Sequence, residues 1–477
     1  MATPNFSDSV SESSPATSLP RVGLLTMFRL GIFQMGLGIM SLLTLGVLNR
    51  VTIDELKVPA LVAAGAIAMH QFMAPSRIWF GQMSDSKPIL GHHRTGYVWI
   101  GAVLFTIISF FALQVVWQLG NSLESVGWSF PTYAWIGVLG LMFAVYGLAL
   151  GASSTPFAAL LLDVSDEDNR SKLVSIVWSM LMVGIIVGAI ISSIMLKKVG
   201  IDAPIEEVRA SIDRLFVIVP AIVLTMTFLA TFGVEKKYSR FTTRSTLTDR
   251  EDQITLGRAL RVLTASRQTG IFFTFLLVMS ISLFMQDAIL EPYGGQVFGM
   301  PISETTQLNA FFGMGTLVGI ASTGFLIVPR LGKKQTAKYG CIGAAICFFL
   351  LIGAGFTGEV GMLKGGLLLF GICSGVLTAG AIGLMLDLTA AETAGTFIGA
   401  WGLAQAMARG LSTVLGGAVL DLGRGIFGEP VLAYGLVFAT QAVGMMVAIW
   451  LLRRVNIKEF QDNAKAAIAA VMEGELD

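Results

Sequence analysis

The sequence predicts an all-α integral membrane protein with twelve transmembrane helices in two six-helix bundles. Three observations support this fold class. The 477-residue chain is 54% hydrophobic and 13% charged, whereas soluble domains carry about 25% charged residues. Apolar stretches long enough to cross a bilayer recur along the whole chain. A long polar segment separates the first six stretches from the last six.

The twelve apolar stretches are each long enough for one helical span. They are predicted at residues 24–48, 58–80, 96–118, 133–161, 173–196, 214–233, 269–289, 305–328, 337–356, 363–386, 397–420 and 430–452. Trp117 and Trp128 flank the polar segment after the third stretch, a position that Trp favours at membrane interfaces. The lipid bilayer is therefore the expected surrounding of most of the chain.

The polar segments predict how the chain is divided. The predicted divisions are a disordered tail at 1–20, an N-terminal bundle at 21–234, a cytoplasmic linker at 235–268, a C-terminal bundle at 269–455 and a cytoplasmic tail at 456–477. The first segment is rich in Ser, Thr and Pro and lacks the basic start of a signal peptide. Lys and Arg are concentrated on the side of the termini, so both termini are predicted to be cytoplasmic.

The two halves resemble each other in sequence. Residues 146–163 align without gaps on residues 370–387, and the alignment pairs Gly147 with Gly371 and Asp163 with Asp387. Two six-helix repeats with their termini on one side are the arrangement of major facilitator transporters, which place a central site between the halves. The sequence therefore predicts the major facilitator fold.

Several classes of function are not expected. The net charge of +1 gives nucleic acid no basic surface to bind. Cys341, Cys347 and Cys373 lie in apolar stretches without a metal-ligand spacing, so we expect no metal site. The sequence has no phosphate-binding Gly-rich loop ending in Lys and Ser or Thr, and no catalytic triad pattern. We therefore do not expect an enzyme.

Three arginines lie within the predicted spans. Arg29 and Arg77 lie near the cytoplasmic ends of their spans, and Arg409 lies nearer the centre. A charge in hydrocarbon costs about 2.5–3.5 kcal/mol on insertion scales, so each needs a partner or a route to water. Snorkelling or a structural ion pair is the favoured interpretation, and a direct ligand role is the alternative.

The segment after the second span resembles the loop motif of major facilitator transporters. Gly81 is followed four residues later by Asp85, and Arg94 comes after a further glycine. Asp85 is expected to cap the next segment and to pair with a cation on a neighbouring helix end, which would lock one conformation. Ser86 departs from the motif, and Val328 replaces the acid in the second half.

Asp163 and Asp387 end matching helices on the predicted cytoplasmic side. We favour a solvated helix end for both, with a charge pair at a gate and a docking patch for a partner protein as alternatives. On the opposite side, Asp54 and Glu55 follow the first span, and Asp287 and Glu291 lie at the end of the seventh. These four acids could form an outer gate, bind protons or be ordinary interface residues.

The segment 286–299 is the most distinctive part of the chain. Pro292 disfavours further helix after the seventh span, and the two glycines that follow permit a tight turn. This segment, with residues 46–60, 79–99 and 178–184, resembles the PucC/LhaA-type bacteriochlorophyll delivery proteins of the major facilitator superfamily. The resemblance includes both halves of the chain.

The resemblance implies an assembly factor that delivers chlorophyll or bacteriochlorophyll to light-harvesting or photosystem apoproteins. It also implies that the partners are those apoproteins, chlorophyll synthase and the membrane insertion machinery, and that the pigment is bound as cargo. The implied location is the thylakoid or the intracytoplasmic or inner membrane of a photosynthetic bacterium. The alternative is a proton-coupled transporter of another small hydrophobic solute, and a scaffold without transport is a third option.

Four polar side chains inside spans are candidates for contact with a pigment or another substrate. His70 lies in the middle of its span, and the others are Gln34, Gln286 and Gln405. An imidazole nitrogen can ligate the magnesium of a chlorophyll. The favoured alternative is that His70 is bonded to a neighbouring helix.

Overall fold

A computed structural model of this protein confirms the predicted fold class. It describes residues 21–165, 167–197, 199–200, 203–239, 267–388 and 394–456. Within these ranges the chain is helical, with one isolated bridge between Ile89 and His92. The predicted tail at 1–20, most of the predicted linker and most of the predicted C-terminal tail lie outside the described residues. The predicted divisions of the chain therefore stay predictions.

The first half contains eight helices. Helix α1 (Leu24–Ser41) continues into π-helical turns at Leu42–Leu48 and Val51–Glu55. The other helices are α2 (Ala60–Phe72), α3 (Ser76–Ser86), α4 (Thr95–Val126), α5 (Phe130–Val164), α6 (Glu167–Leu196), α7 (Ile205–Thr231) and α8 (Val234–Tyr238). The second span is broken between α2 and α3, where Pro75 has no N–H to donate to the preceding turn.

The second half begins with α9 (Arg267–Phe284), a 3₁₀ turn (Met285–Ala288) and α10 (Leu290–Phe298). It continues with α11 (Ile302–Ser322), a π-helical turn (Thr323–Ile327), α12 (Val328–Leu331), α13 (Lys333–Thr357), α14 (Val360–Leu388), α15 (Ala394–Ile426) and α16 (Pro430–Arg454). The expected break at Pro292 is wrong. Pro292 lies in the first turn of α10, where a missing N–H is tolerated, and the two glycines after it are helical.

The helices supply the twelve predicted spans. Among the described residues, ten helical segments are long and apolar enough to cross a membrane. The remaining two spans are the second, which is divided into α2 and α3, and the eighth, formed by α11. Both termini of the bundle lie at one end, and we call the opposite end distal. The protein is thus a multi-pass membrane protein.

The two halves repeat one packing arrangement. A Cβ atom added at Gly147 of α5 would lie 2.5 Å from the main-chain oxygen of His70 in α2. A Cβ added at Gly371 of α14 would collide with the main-chain oxygen of Phe312 in α11. Small residues let helix backbones approach closely in membranes. The glycines that the sequence alignment pairs therefore pack the fourth span on the second, and the tenth on the eighth.

The halves meet mainly where α6 packs on α11 and where α2 packs on α15. The π-helical end of the first span also packs on α10, on α11 and on the 3₁₀ turn between α9 and α10. One large core cluster belongs mainly to the second half and includes Ile53 and Ala60 of the first. Apolar packing therefore continues across the interface between the halves. Polar groups at this interface are the candidates for a functional site.

Candidate functional site

The distal end of the interface holds a polar network that joins the halves. Arg50 is 6% exposed and forms an ion pair of 2.8 Å with Asp54. Its guanidinium also donates to the main-chain oxygens of Glu291 at 3.1 Å and Met300 at 3.3 Å. Asn49 donates to the main-chain oxygen of Ala288. Two side chains of the first span, those of Asn49 and Arg50, are thereby bonded to the second half.

The network continues on the side of the second half. Gln296 donates to Asp54 and accepts hydrogen bonds from Arg424 at 2.9 Å and Tyr434 at 3.1 Å. Arg424 also pairs with Asp421 at 3.3 Å. The carboxylate of Asp421 accepts from the first N–H groups of α2, at 3.0 and 2.7 Å, and so caps that helix from the other half.

We call these residues the distal seal: Asn49, Arg50, Asp54, Glu291, Gln296, Asp421 and Arg424. Two glycines make room for it. A Cβ added at Gly295 would collide with the Arg50 guanidinium, and one added at Gly46 would collide with the Glu291 carboxylate. Both glycines lie in the segments that resemble PucC-type proteins. The seal closes the distal end of the interface.

The predicted acids of this region do not all lie in the seal. Glu291 is 2% exposed and accepts from Asn309 at 2.7 Å and Thr306 at 3.4 Å. Glu55 is a weaker partner of Arg50, at 3.9 Å. Asp287 accepts from Gln286 at 3.1 Å and lies in the 3₁₀ turn that packs on α15. The three acids therefore belong to two sites.

A second charge cluster lies at the end of the bundle that carries the termini. Arg94 is 3% exposed and forms ion pairs of 2.6 Å with Asp85 and 2.8 Å with Asp163. It also donates to Ser84 at 2.6 Å. The expectation that Asp163 is a solvated helix end is wrong, because its side chain is buried against Arg94.

Glu235 completes this cluster, and sequence reasoning missed it. Its carboxylate accepts from the main-chain N–H groups of His93 at 2.7 Å, Arg94 at 3.1 Å and Thr95 at 2.6 Å. These N–H groups begin α4, so Glu235 caps the helix that Asp85 was expected to cap. Asp85 instead makes the predicted pair with a cation at a neighbouring helix end. Asp387 lies in α14, and its side chain is outside the described part of the chain.

Several predicted residues lie between the two ends. Arg409 lies 4.0 Å above the ring centre of Phe284. Its helix packs on the 3₁₀ turn that carries Asp287, and the neighbouring Gly410 packs on Phe72 of the first half. Arg409 and Arg77 are exposed residues. Gln405, one helical turn from Arg409 on α15, and Gln34 on α1 are half-buried.

His70 is buried against aromatic rings of α5. Its Nδ1 faces the main-chain oxygen of Ile67, and its Nε2 lies 2.9 Å from the amide nitrogen of Gln71. Nδ1 therefore carries the proton, and Nε2 accepts from Gln71. A magnesium ion can be bound by His70 only if Gln71 moves away from Nε2. The ligand role of His70 stays a prediction.

Two other candidate residues have structural contacts. Arg29 donates to the main-chain oxygens of Leu229, at 2.7 Å, and Phe232, at 2.5 Å, and so satisfies the end of α7. Gln286 is 1% exposed and accepts from Gln441 at 2.8 Å. Gln441, Gln296, Asp421 and Arg424 were missed because single polar residues in apolar stretches give no signal of their distant partners.

Comparisons with known proteins identify the family. The family described as PUCC protein matches residues 47–460. The chain is 31% identical over 444 residues to the bacteriochlorophyll synthase 44.5 kDa chain of Rhodobacter capsulatus, over 90% of this chain and 94% of that relative. It is 28% identical to protein PucC of Rhodobacter capsulatus, over 93% of each chain.

Solved structures with the same fold are membrane transporters. A bacterial homologue of the iron transporter ferroportin, in an inward-facing state, superposes with a TM-score of 0.65 at 13% identity, over 91% of this chain and 99% of that one. The nucleoside transporter NupG superposes with a TM-score of 0.62 at 14% identity, over 90% and 98%. At these identities the likeness shows the fold alone. The chain therefore belongs to the PUCC protein family and has the major facilitator fold.

Proposed function

We propose that this protein carries chlorophyll or bacteriochlorophyll between its two halves and delivers it to light-harvesting or photosystem apoproteins. The observation that carries the proposal is family membership across both halves, from residue 47 to residue 460. Relatives that span nearly the whole chain are named for bacteriochlorophyll synthase and PucC. This supports a membrane protein linked to photosynthesis, and pigment delivery is the specific form we propose.

The geometry is compatible with a carrier. The distal seal closes one end of the interface between the halves. Nearer the middle, Arg77 and Arg409 remain accessible from opposite halves. A carrier that alternates between two conformations needs one closed end and one accessible site at a time. If the termini are cytoplasmic, as the charge distribution predicts, cargo exchanges on the cytoplasmic side or laterally with the membrane.

The proposed partners follow from the proposed role. Light-harvesting or photosystem apoproteins would receive the pigment, chlorophyll synthase would supply it, and the insertion machinery would present the new apoprotein. The many exposed apolar side chains on the outside of the spans, such as Phe111, Trp178 and Phe349, suit contact with lipid or with partner helices. We propose no catalytic role for this chain.

The test is purification of a tagged chain from a photosynthetic host in a mild detergent. We expect an absorption spectrum of bound pigment and co-purifying antenna or photosystem subunits. In a deletion strain, assembled complexes should fall while free pigment is still made. Unchanged complexes in the deletion strain would contradict the proposal. The matched control is the same tag on an unrelated membrane transporter from the same host.

The second candidate is a proton-coupled transporter of another small hydrophobic solute. It is favoured by two carboxylates at the interface, Glu291 in the distal seal and Asp287 beside Arg409. Purified protein in liposomes should then show solute flux driven by a pH gradient, which Asp287→Asn or Glu291→Gln abolishes. Pigment-free protein that moves a solute in this assay would favour this candidate over pigment delivery.

A further inference from the structure

Two arginines from opposite halves lie near one contact between the halves. Helix α15 packs closely on α2, since a Cβ added at Gly410 would lie 3.0 Å from the Phe72 ring and 3.2 Å from Gln71. Arg409 immediately precedes this contact on α15. Arg77 follows Phe72 by five residues and lies in α3, which continues the second span.

Among the described residues, the charges of this site are not balanced. Asp287 lies in the 3₁₀ turn that packs on α15, the helix of Arg409. No carboxylate of the described residues forms an ion pair with Arg77. Two cations and one carboxylate leave a net positive charge in a region where charge is costly.

Three other arginines of this chain form ion pairs with carboxylates. Arg50, Arg94 and Arg424 each form an ion pair with an aspartate at 3.3 Å or less. Arg77 and Arg409 instead stay accessible to solvent within the spans. Arg409 is held over the Phe284 ring, which fixes its position and leaves its N–H groups available. Two exposed cations within the membrane region, with one carboxylate among the described residues nearby, are the kind of feature that indicates a functional site.

We propose that the interface binds an anionic amphiphile, whose carboxylate or phosphate is held jointly by Arg77 and Arg409 while its apolar body lies against Phe284 and Phe72. Guanidinium groups match both anions with paired hydrogen bonds. Because the two arginines belong to different halves, the anion bridges the halves. The inference goes beyond pigment delivery, since a fully esterified pigment has no carboxylate to offer. An unesterified tetrapyrrole acid and an anionic lipid share the required chemistry.

The test compares ligands that differ only in the anion. Purified full-length protein in a neutral detergent is titrated with chlorophyllide and with its methyl ester, and pigment binding is followed by absorbance. In a second arm, native mass spectrometry measures retention of phosphatidylglycerol against phosphatidylcholine. We expect the acid or the anionic lipid to bind roughly tenfold or more tightly than its neutral counterpart. The arm that shows this preference identifies the source of the anion.

Variants locate the anion site. Arg77→Gln and Arg409→Gln should each remove the preference, and Arg409→Lys should retain part of it. Arg454→Gln is the matched control, since Arg454 also lies over an aromatic ring, 3.6 Å from that of Trp450, but at the end of α16. Equal binding of charged and neutral ligands by the unmodified protein would overturn the inference without any variant. A preference that survives both glutamine variants would also overturn it. Neither result would affect pigment delivery, which the deletion strain tests separately.

Discussion

The guanidinium of Arg50 in the first half donates to the main-chain oxygen of Glu291 in the second, at 3.1 Å. The contact is possible because residue 295, one turn further along α10, is glycine and leaves space for the guanidinium. The segment that is most distinctive in sequence therefore contributes backbone acceptors and space, in addition to the side chains of Glu291 and Gln296. Its structural role is to close the distal end.

Gly295→Ala is expected to open the distal seal. The added methyl group would displace the Arg50 guanidinium and weaken its bonds to the second half, at a cost of about 1–3 kcal/mol for overpacking. A cysteine at Thr52, which is 1% exposed, in a background without the native cysteines, reports the opening. Its labelling by a membrane-impermeant maleimide should rise several-fold.

Gly365→Ala is the matched control for this substitution. Gly365 is also helical, and a Cβ added there meets no atom within 4 Å. Alanine at such a site stabilises a helix by up to about 1 kcal/mol, so labelling at position 52 should not change. Equal labelling in both variants would show that Arg50 does not depend on the space at residue 295.

Arg94→Gln is expected to destabilise the end of the bundle that carries the termini. The substitution removes the guanidinium that pairs with both Asp85 and Asp163. Removing one partner of a buried ion pair costs about 3–5 kcal/mol, and we expect the lower end because the Asp85 side chain is 26% exposed. The thermal unfolding midpoint in detergent measures the loss.

The variant Arg94→Lys tests whether the charge of Arg94 or the shape of its guanidinium stabilises the cluster. Lysine restores the charge but cannot bridge two carboxylates and Ser84 as a guanidinium does. We expect a midpoint between those of the unmodified protein and Arg94→Gln. A midpoint for Arg94→Gln equal to that of Arg454→Gln, a substitution at an exposed arginine, would mean that the cluster contributes little to stability.

The spans could be predicted from sequence because hydropathy is a local property. All twelve lie where the apolar stretches predict them, but several helices run beyond the predicted bounds. The first, third, seventh and eleventh spans continue as helix past their predicted ends, and the sixth begins nine residues early, at Ile205. The sequence does not predict the helix at 290–298, because a proline indicates a break unless it lies in the first turn, where it costs no hydrogen bond. Local patterns thus predict that a helix exists more reliably than they predict where it ends.

The site could be predicted only in part, because pairing is a tertiary property. Asp163 and Arg94 are 69 residues apart, and neither neighbourhood indicates the other. Glu235 was assigned to the predicted linker, yet it caps a helix that begins 140 residues earlier. The sequence predicts that the charges of Arg77 and Arg409 are costly. It does not predict that both lie near the contact between α15 and the second span. Residue type therefore predicts which residues could belong to a site. Only the fold shows which of these residues lie close together.

Glu235→Ala is expected to loosen the start of α4. The substitution removes the acceptor of three main-chain N–H groups, and loss of a helix cap costs about 0.5–2 kcal/mol. Hydrogen exchange of a peptide containing residues 93–95 should become faster. Glu235→Gln keeps one acceptor oxygen and should show a smaller change. Glu124→Ala, at an exposed position near the other end of α4, is the control, and the same exchange in both alanine variants would contradict the capping role.

His70→Phe is expected to leave pigment binding unchanged if His70 is a packing residue, as its contacts indicate. Its ring already packs against Phe143 and Tyr146, with ring centres 6.3 and 6.0 Å away. A phenyl ring has a similar shape and can pack in the same place, although it gives up the contacts of the two ring nitrogens. Pigment retained after purification, measured by absorbance per mole of protein, checks this prediction.

Gln71→Leu makes the comparison decisive. It removes the amide that occupies Nε2 of His70 and so frees that lone pair for magnesium. With a packing role for His70, this variant and His70→Phe should both retain pigment at the level of the unmodified protein. Pigment lost with His70→Phe but increased with Gln71→Leu would instead identify His70 as the ligand. The pair of variants separates the roles, because a change in packing alone would not move pigment retention in opposite directions.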